Sequence, residues 1–396
     1  MSRRKRAPTI VGLLVLALAL VLVGCAPAAT PTPTPTKAPA AAATPTAAAK
    51  PSPAAQATPA AAQPTTAAKP TTASQPTAPA KAATVRFGSP GSVSDAGVFI
   101  GAEKGYFKDL GLDVQVLPFQ SGPTMIAPLA AGELDVGGGS ISTGLLNAID
   151  RGVALKIVTG KGSNIKGFDF SRVTVRKELI DSGQVKEIKD FKGKKFAVAS
   201  AQSGAEAIAY YFLKQGGLTI KDVELLIMGY PDMIAAYANK AVDLAVQIEP
   251  TLNASVERGL TVRWPPGATS TIYGGEYQAA ELVFSEQFTK NVDVSRRFMI
   301  GYLKGMRDYN DAFAKGQNKS QIVSILNKYT TEKDPTLFDK MEMPYLNGDG
   351  KMHVPSMQMD FDYFKQMGYY TGKLELKGII DTQFTDYAVQ QLGPYK

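Results

Sequence analysis

The sequence predicts an α/β fold of two similar lobes with a cleft between them, and three observations lead there. A stretch of the chain occurs twice. Pro123-Thr-Met-Ile-Ala-Pro-Leu-Ala-Ala-Gly-Glu-Leu-Asp135 returns 108 residues later as Pro231-Asp-Met-Ile-Ala-Ala-Tyr-Ala-Asn-Lys-Ala-Val-Asp243, with Pro, Met, Ile, two Ala and the closing Asp in register. Such an internal repeat outranks any local reading. Upstream, Val85-Arg-Phe-Gly-Ser89 matches Phe196-Ala-Val-Ala-Ser200, each a short apolar run ending in small polar residues. Each unit therefore alternates strand, turn, helix, strand, turn, helix, strand, the signature of a parallel α/β sheet. Finally, the chain beyond its N-terminal segments exceeds the roughly 250–300 residues at which one core stops growing.

The N-terminal segments are of another material. Arg3-Arg4-Lys5-Arg6, an apolar run from Ile10 to Val23, then Gly24-Cys25 describe a secretory signal, with the apolar run shorter than the roughly 20 residues a membrane-spanning helix needs. Leu22-Val23-Gly24-Cys25 resembles the bacterial lipobox, which implies cleavage over residues 1–24 and acylation of Cys25, the lone cysteine. One cysteine also excludes an internal disulfide. Residues 25–82 follow as a tether of Ala, Pro, Thr, Ser, Gln and Lys without an aromatic or acidic side chain. Such a composition buries too little apolar surface to offset the entropy of ordering. At ~3.1 Å per residue, residues 26–81 reach at most about 170 Å.

The net charge of +8 belongs to these segments. Four basic residues of the signal and Lys37, Lys50, Lys69 and Lys81 account for the whole excess, and no acidic residue precedes Asp95. The folded part is neutral overall, so the charge argument for nucleic-acid binding fails.

In order, Thr84–Gly88 reads as the first strand, Ser89–Asp95 as a turn, and Val98, Phe99 and Ala102 as part of a helix that breaks at Gly105. Leu112–Leu117 is the second strand and Gln120–Thr124 the next turn, with Pro near the first helical turn. Val136 to Ser140 ends the third strand in a glycine run, and Ala154–Thr159 is a fourth strand ending at Gly160-Lys-Gly-Ser163. The second lobe repeats the scheme: strand Phe196–Ala199, turn Ser200–Gly204, helix Ala205–Gln215, strand Val223–Met228, turn Gly229–Asp232, and strand Val242–Gln247 ending in Glu249-Pro250. Phe298, Tyr302, Met306, Tyr309 and Phe313 recur three or four apart as the packing stripe of a helix.

In open α/β sheets ligands bind beyond the carboxyl ends of the strands. Those ends are here small and polar, and glycines let a ligand approach the backbone closely. Ser and Thr at helix starts offer hydroxyls and free N–H groups suited to carboxylates, sulfonates or carbonyls, although N-caps use the same residues. From these loops Ser121, Gly139, Ser142 and Ser203 are candidate ligand contacts.

Several chemistries are missing. One histidine, His353 between Met352 and Val354, leaves no histidine-based metal cluster and makes a catalytic triad implausible. Leu145 stands where a phosphate-binding loop needs Lys, and no Gly-x-Gly-x-x-Gly or Gly-x-Ser-x-Gly occurs at the required place. Asn347-Gly-Asp-Gly350 matches a calcium loop only in part and reads as a turn. No cofactor and no metal are expected, and the protein is not expected to be an enzyme.

Four segments carry a resemblance: Gly105-Tyr-Phe with Gly111-Leu-Asp-Val, Leu129-Ala-Ala-Gly-Glu-Leu-Asp-Val, Asp190-Phe-Lys-Gly-Lys-Lys-Phe-Ala-Val, and Ala241-Val-Asp-Leu-Ala-Val-Gln-Ile-Glu-Pro250. From Thr84 to about Trp264 the chain resembles bacterial ABC-importer solute-binding proteins of the nitrate/sulfonate/taurine and thiamine-pyrimidine-precursor group. The resemblance implies a type II periplasmic-binding-protein-like fold, two mixed sheets flanked by helices and joined by two hinge strands. It implies closure on a small polar organic or oxyanion ligand, a permease and an ATPase as partners, and an extracytoplasmic, lipid-anchored monomer. It also places Ser89, Gln120, Ser140, Gln202, Tyr230 and Glu249 in cleft-lining loops. Many relatives carry Trp just before the Glu-Pro, where Gln247-Ile248 stand here, and the Cys-rich motif of pyrimidine-synthase relatives is missing. Lobe one is expected over 84–178 plus 280–396 and lobe two over 184–272. A ligand-sensing module for a signalling partner is the alternative, and an enzyme on the same scaffold is a third class.

Overall fold

A computed structural model describes residues 81–396; the signal peptide, Cys25 and nearly all of the tether lie outside the described residues. Ten strands form two five-stranded sheets. The first has the order β2-β1-β3-β10-β4, with β1 Ala83–Ser89, β2 Leu112–Pro118, β3 Val136–Gly139, β4 Lys156–Asn164 and β10 Tyr277–Phe284. The second has the order β7-β6-β8-β5-β9, with β5 Ser171–Arg176, β6 Lys195–Val198, β7 Glu224–Ile227, β8 Leu244–Ile248 and β9 Thr261–Ala268. In each sheet three parallel strands carry the repeat and an antiparallel strand closes them: β10 against β3 and β4, β5 against β8 and β9.

The chain thus crosses between the sheets twice, at 165–170 and at 269–276. The first crossing comes earlier than the expected boundary at 178, because β5 pairs wholly with strands of the second sheet. The C-terminal part also departs from a simple assignment to the first lobe. The helix Val354–Gln366 receives the Gln278 N–H on Ser356 Oγ (2.8 Å) from β10. It also reaches the second lobe, where the Tyr363 hydroxyl donates to Glu206 Oε1 (2.7 Å) and Tyr211 donates to the Met359 carbonyl (2.9 Å).

The repeated Asp has the same task in both lobes. Asp135 Oδ2 accepts the Arg86 N–H of β1 (2.8 Å) and holds its guanidinium, while Asp243 Oδ2 accepts the Lys195 N–H of β6 (2.9 Å) and pairs with Arg176 (2.6 Å). The pairing of β1 with β3 and of β6 with β8 makes Phe87, two residues beyond the sequence alignment, the counterpart of Phe196. Both rings are fully buried, each worth roughly 1.5–3 kcal/mol of burial.

Gly160-Lys-Gly-Ser163 is not a turn. Strand β4 runs on through it to Asn164, paired antiparallel with β10 across register shifts. The stripe of the long helix Val292–Lys315 is packing: Phe298, Tyr302, Met306 and Tyr309 are buried against the helix Ala96–Glu103 and its surroundings. His353 starts the helix that follows it, its N–H donating to Gln278 Oε1 (2.9 Å).

Candidate functional site

Between the carboxyl ends of the two sets of parallel strands lies a cavity. Ser92, Ser94, Ser121, Gly139, Ser140 and Lys161 line it from the first lobe, and Ser200, Ser203, Ala205, Ile208, Tyr230 and Ile248 from the second. Phe170 from the first crossing and Tyr277 at the start of β10 complete the wall. About 50 Å³ is open to the centres of water-sized spheres, room for a few waters at roughly 10–15 Å³ each. Small side chains make this space. A Cβ on Gly139 would fall 2.4 Å from Gly122 Cα, so the β3 end and the Gly122–Met125 turn meet backbone to backbone. Apolar wall interrupted by seryl hydroxyls, two tyrosines and Lys161 suits a small polar molecule.

The polar groups divide into committed and uncommitted ones. Lys161 is 1 % exposed, and its Nζ stands 2.5 Å from Asp95 Oδ1 and 3.3 Å from Ser94 Oγ. Asp95 is itself fixed by the Ser89 hydroxyl, which donates to Oδ2 at 2.6 Å. Ser203 precedes the helix Gly204–Gln215 but does not cap it; its hydroxyl donates to the Ser200 carbonyl at 2.8 Å. The uncapped first turn leaves backbone N–H groups at the cavity wall. Ser121 is 1 % exposed, and its hydroxyl has no hydrogen-bond partner in the protein.

The two lobes are latched beside this cavity. Thr143 donates its N–H to the Gln202 carbonyl (3.0 Å), Gly204 donates to the Ile141 carbonyl (3.1 Å), and Ser142 and Ser203 form an antiparallel bridge. The Thr143 hydroxyl adds a bond to Gln202 Oε1 at 2.8 Å. Gln202 adopts left-handed backbone (φ 51°), and its N–H donates to Glu206 Oε2 (2.7 Å). Glu206 in turn accepts from Tyr363, so the latch is tied to the C-terminal helix.

Behind the wall sits an acidic layer. Asp360, fully buried, accepts from Tyr273 and from Tyr277 (2.9 Å); burial raises its carboxyl to about 7 against the two hydrogen bonds. Glu281, also buried, has Oε1 without a partner, and burial together with nearby Asp360 pushes its carboxyl well up, against the pull of Lys161. Among the described residues no group of three or more His, Cys, Asp or Glu is placed to hold a metal ion.

Of the residues singled out from sequence, Ser121, Gly139, Ser140, Ser203 and Tyr230 lie on the cavity wall. The others do not. Ser89 orients Asp95 and binds the Gly91 N–H (2.9 Å). Gln120 lies in the outer groove, over Gly229. Ser142 caps the helix Thr143–Asp150 by accepting the Leu145 N–H, and Gln202 belongs to the latch. Glu249 faces away: its side chain pairs with Arg263 (2.9 Å) and accepts the Asn253 N–H (2.8 Å), and burial raises its carboxyl to about 7. Strand alternation explains this, since Val246 and Ile248 face the cavity while Gln247 and Glu249 point to the opposite side. Sequence reasoning placed Lys161 in a strand-end loop without singling it out, and missed Phe170 and Tyr277. A period-two reading of 156–164 as one strand would have placed Lys161 on an inner face.

The model of the NMT1-like family matches residues 78–322. A binding protein of Brucella abortus is 27% identical over 231 residues, 58% of this chain; the match spans 66% of that relative, just under two thirds of its length. A Bacillus subtilis protein named for binding aliphatic sulfonates is 25% identical over 314 residues, 78% of this chain and 88% of its own. Among solved structures, the periplasmic nitrate-binding protein of Synechocystis PCC 6803 superposes with a TM-score of 0.63 at 15% identity, over 79% of this chain and 89% of its own. At that identity the likeness shows a shared periplasmic-binding-protein fold.

Proposed function

The chain belongs to the NMT1-like family, and on that premise we propose that it is the extracytoplasmic solute-binding component of an ABC importer. A small polar solute enters the interlobe cavity, the lobes close over it, and a permease with its ATPase receives it. The observation that carries this reading is the cavity at the strand ends of both lobes, with the Ile141–Thr143 to Gln202–Gly204 latch beside it. A solute touching both walls favours the closed arrangement by its differential contacts. A binding role is supported by how the wall's polar groups are engaged: Lys161 is paired with Asp95 and reaches Ser94 Oγ, and the Ser203 hydroxyl donates to the Ser200 carbonyl.

Cys25 is the proposed lipid attachment point, holding the domain to the outer face of the cell membrane through the tether. Among the described residues no helix is long and apolar enough to cross a membrane. The protein is proposed to act as a monomer. A melting-temperature screen of sulfonates, nitrate, bicarbonate, pyrimidines and aromatic carboxylates tests the binding reading, because a solute that binds only the folded state stabilises it by RT ln(1 + L/Kd), with L the free solute concentration, and so raises the midpoint. No shift with any solute, together with no loss of uptake in a strain lacking the gene, overturns it. Wild-type protein should partition with membranes and Cys25→Ser should acquire no lipid; an unmodified Cys25 in the mature wild type contradicts the anchor.

A further inference from the structure

We infer that the cleft selects an uncharged solute bearing hydroxyl or carbonyl groups, and that Asp95 is the residue that excludes small anions. This rests on the cleft reading above and narrows it.

The argument is one of charge balance in a closed space. Among the described residues Lys161 is the one cation on the cavity wall. Its Nζ is held by Asp95 at 2.5 Å with both side chains at 1 % exposure or less. Asp95 cannot swing away, since Ser89 Oγ holds its other oxygen at 2.6 Å. An entering carboxylate or sulfonate would have to share one ammonium with a fixed carboxylate, and a second like charge beside a buried acid is disfavoured. Two arginines of the second sheet, on β5 and β9, are matched too, Arg172 by Glu342 at 2.7 Å and Arg263 by Glu249 at 2.9 Å. The remaining titratable groups behind the wall, Glu281 and Asp360, are acids. Both are held toward their neutral form, so neither supplies a positive charge for an anion to pair with.

What faces the solute suits hydroxyl and carbonyl groups, and the free N–H groups at the start of the helix Gly204–Gln215 bond a carbonyl oxygen as well as an anion, so the Asp95–Lys161 pair carries the discrimination. Ser121 presents a buried hydroxyl with no partner in the protein, and a hydroxyl both donates and accepts. Lys161 engages two acceptors, Asp95 and Ser94, which leaves one of its three ammonium donors for a carbonyl or hydroxyl oxygen. Phe170 and Tyr277 supply apolar wall for the rest of the molecule.

The test compares isosteres that differ in charge: acetate with acetamide, and methanesulfonate with dimethyl sulfone, titrated calorimetrically into the full chain. In the wild type the neutral member of each pair binds more tightly. Asp95→Asn releases Lys161 and raises the affinity for methanesulfonate at least tenfold. The inference is overturned if the wild type prefers the anion in either pair, or binds methanesulfonate no more weakly than Asp95→Asn does, absence of binding in both included. Should Asp95→Asn fail to fold, the wild-type order within each pair decides alone, equal or undetectable binding counting against it. Filling the cavity with Ser200→Trp separates this from the broader reading. Anion binding that Ser200→Trp abolishes refutes the charge argument and leaves the cleft intact, whereas binding that survives the block removes the cleft reading itself.

Discussion

Replacing Ser121 by Ala removes a hydroxyl that bonds to nothing in the protein while lying 1 % exposed on the cavity wall. The folded empty chain therefore loses no internal hydrogen bond, and its stability should stay within about 0.5 kcal/mol of wild type. The bound chain loses a contact worth roughly 0.5–1.5 kcal/mol to a neutral group, which is about twofold to twelvefold in Kd at 1.4 kcal/mol per decade. The control is the nearby Ser89→Ala. That hydroxyl donates to buried Asp95 and accepts the Gly91 N–H, so its loss leaves a buried carboxylate oxygen short of a donor at about 1–3 kcal/mol. The assay pairs thermal melting of the empty proteins with calorimetry using the solute that stabilises wild type most. Ser121→Ala should melt like wild type and bind more weakly; Ser89→Ala should melt several degrees lower. A Ser121→Ala protein that melts as low as Ser89→Ala, or binds with unchanged affinity, refutes the assignment.

Three further outcomes follow from the geometry. Thr143→Val removes the cross-lobe bond to Gln202 Oε1 and leaves the backbone bonds of the latch, so solute dissociation measured by stopped flow should quicken by about twofold to twelvefold with little change in melting. Burial raises Glu249 and Asp360 to about 7, from 4.5 and 3.8; the folded state then binds more protons than the unfolded between those values, so stability falls as pH rises from about 4.5 to 7. Melting should be higher at pH 5.5 than at 7.5, Asp360→Asn should flatten the slope, and the opposite slope contradicts the burial argument. Glu249→Gln should lower melting, because it breaks the pair with Arg263, and should leave affinity unchanged; lost affinity with wild-type melting returns Glu249 to the cleft.

The repeat was legible because the same problem is solved twice. An Asp that ends each repeat must receive the N–H of the neighbouring first strand, so Asp135 and Asp243 stand out, as do the apolar residues that turn the intervening helices toward their sheets. The crossings were less legible, since 165–178 carries no turn signal strong enough to show where one sheet stops and the other starts; β5 is assigned by its partners β8 and β9, which are distant in sequence. The cavity wall was half legible for a related reason. Loop chemistry points to a strand end but not to which of two adjacent residues faces inward. Glu249 and Ile248 differ by one position, and only the sheet register decides between them. Lys161 was hidden by its glycine neighbours, which read as a turn but serve a strand bent by register shifts against β10. The bridging by the helix Val354–Gln366 depends on long-range hydrogen bonds from Tyr211 and Tyr363, and no local pattern in 354–366 announces them.

The central claim is that one solute occupies the cavity between the lobes. Titration calorimetry of wild type and Ser200→Trp, with the solute that raises the wild-type melting temperature most, tests it directly. Ser200 lies on the cavity wall, and an indole there fills the space that the small side chains leave open. One-to-one binding in wild type and none in Ser200→Trp, with both proteins melting within a few degrees of each other, is the predicted result; equal affinity in the two proteins contradicts the claim.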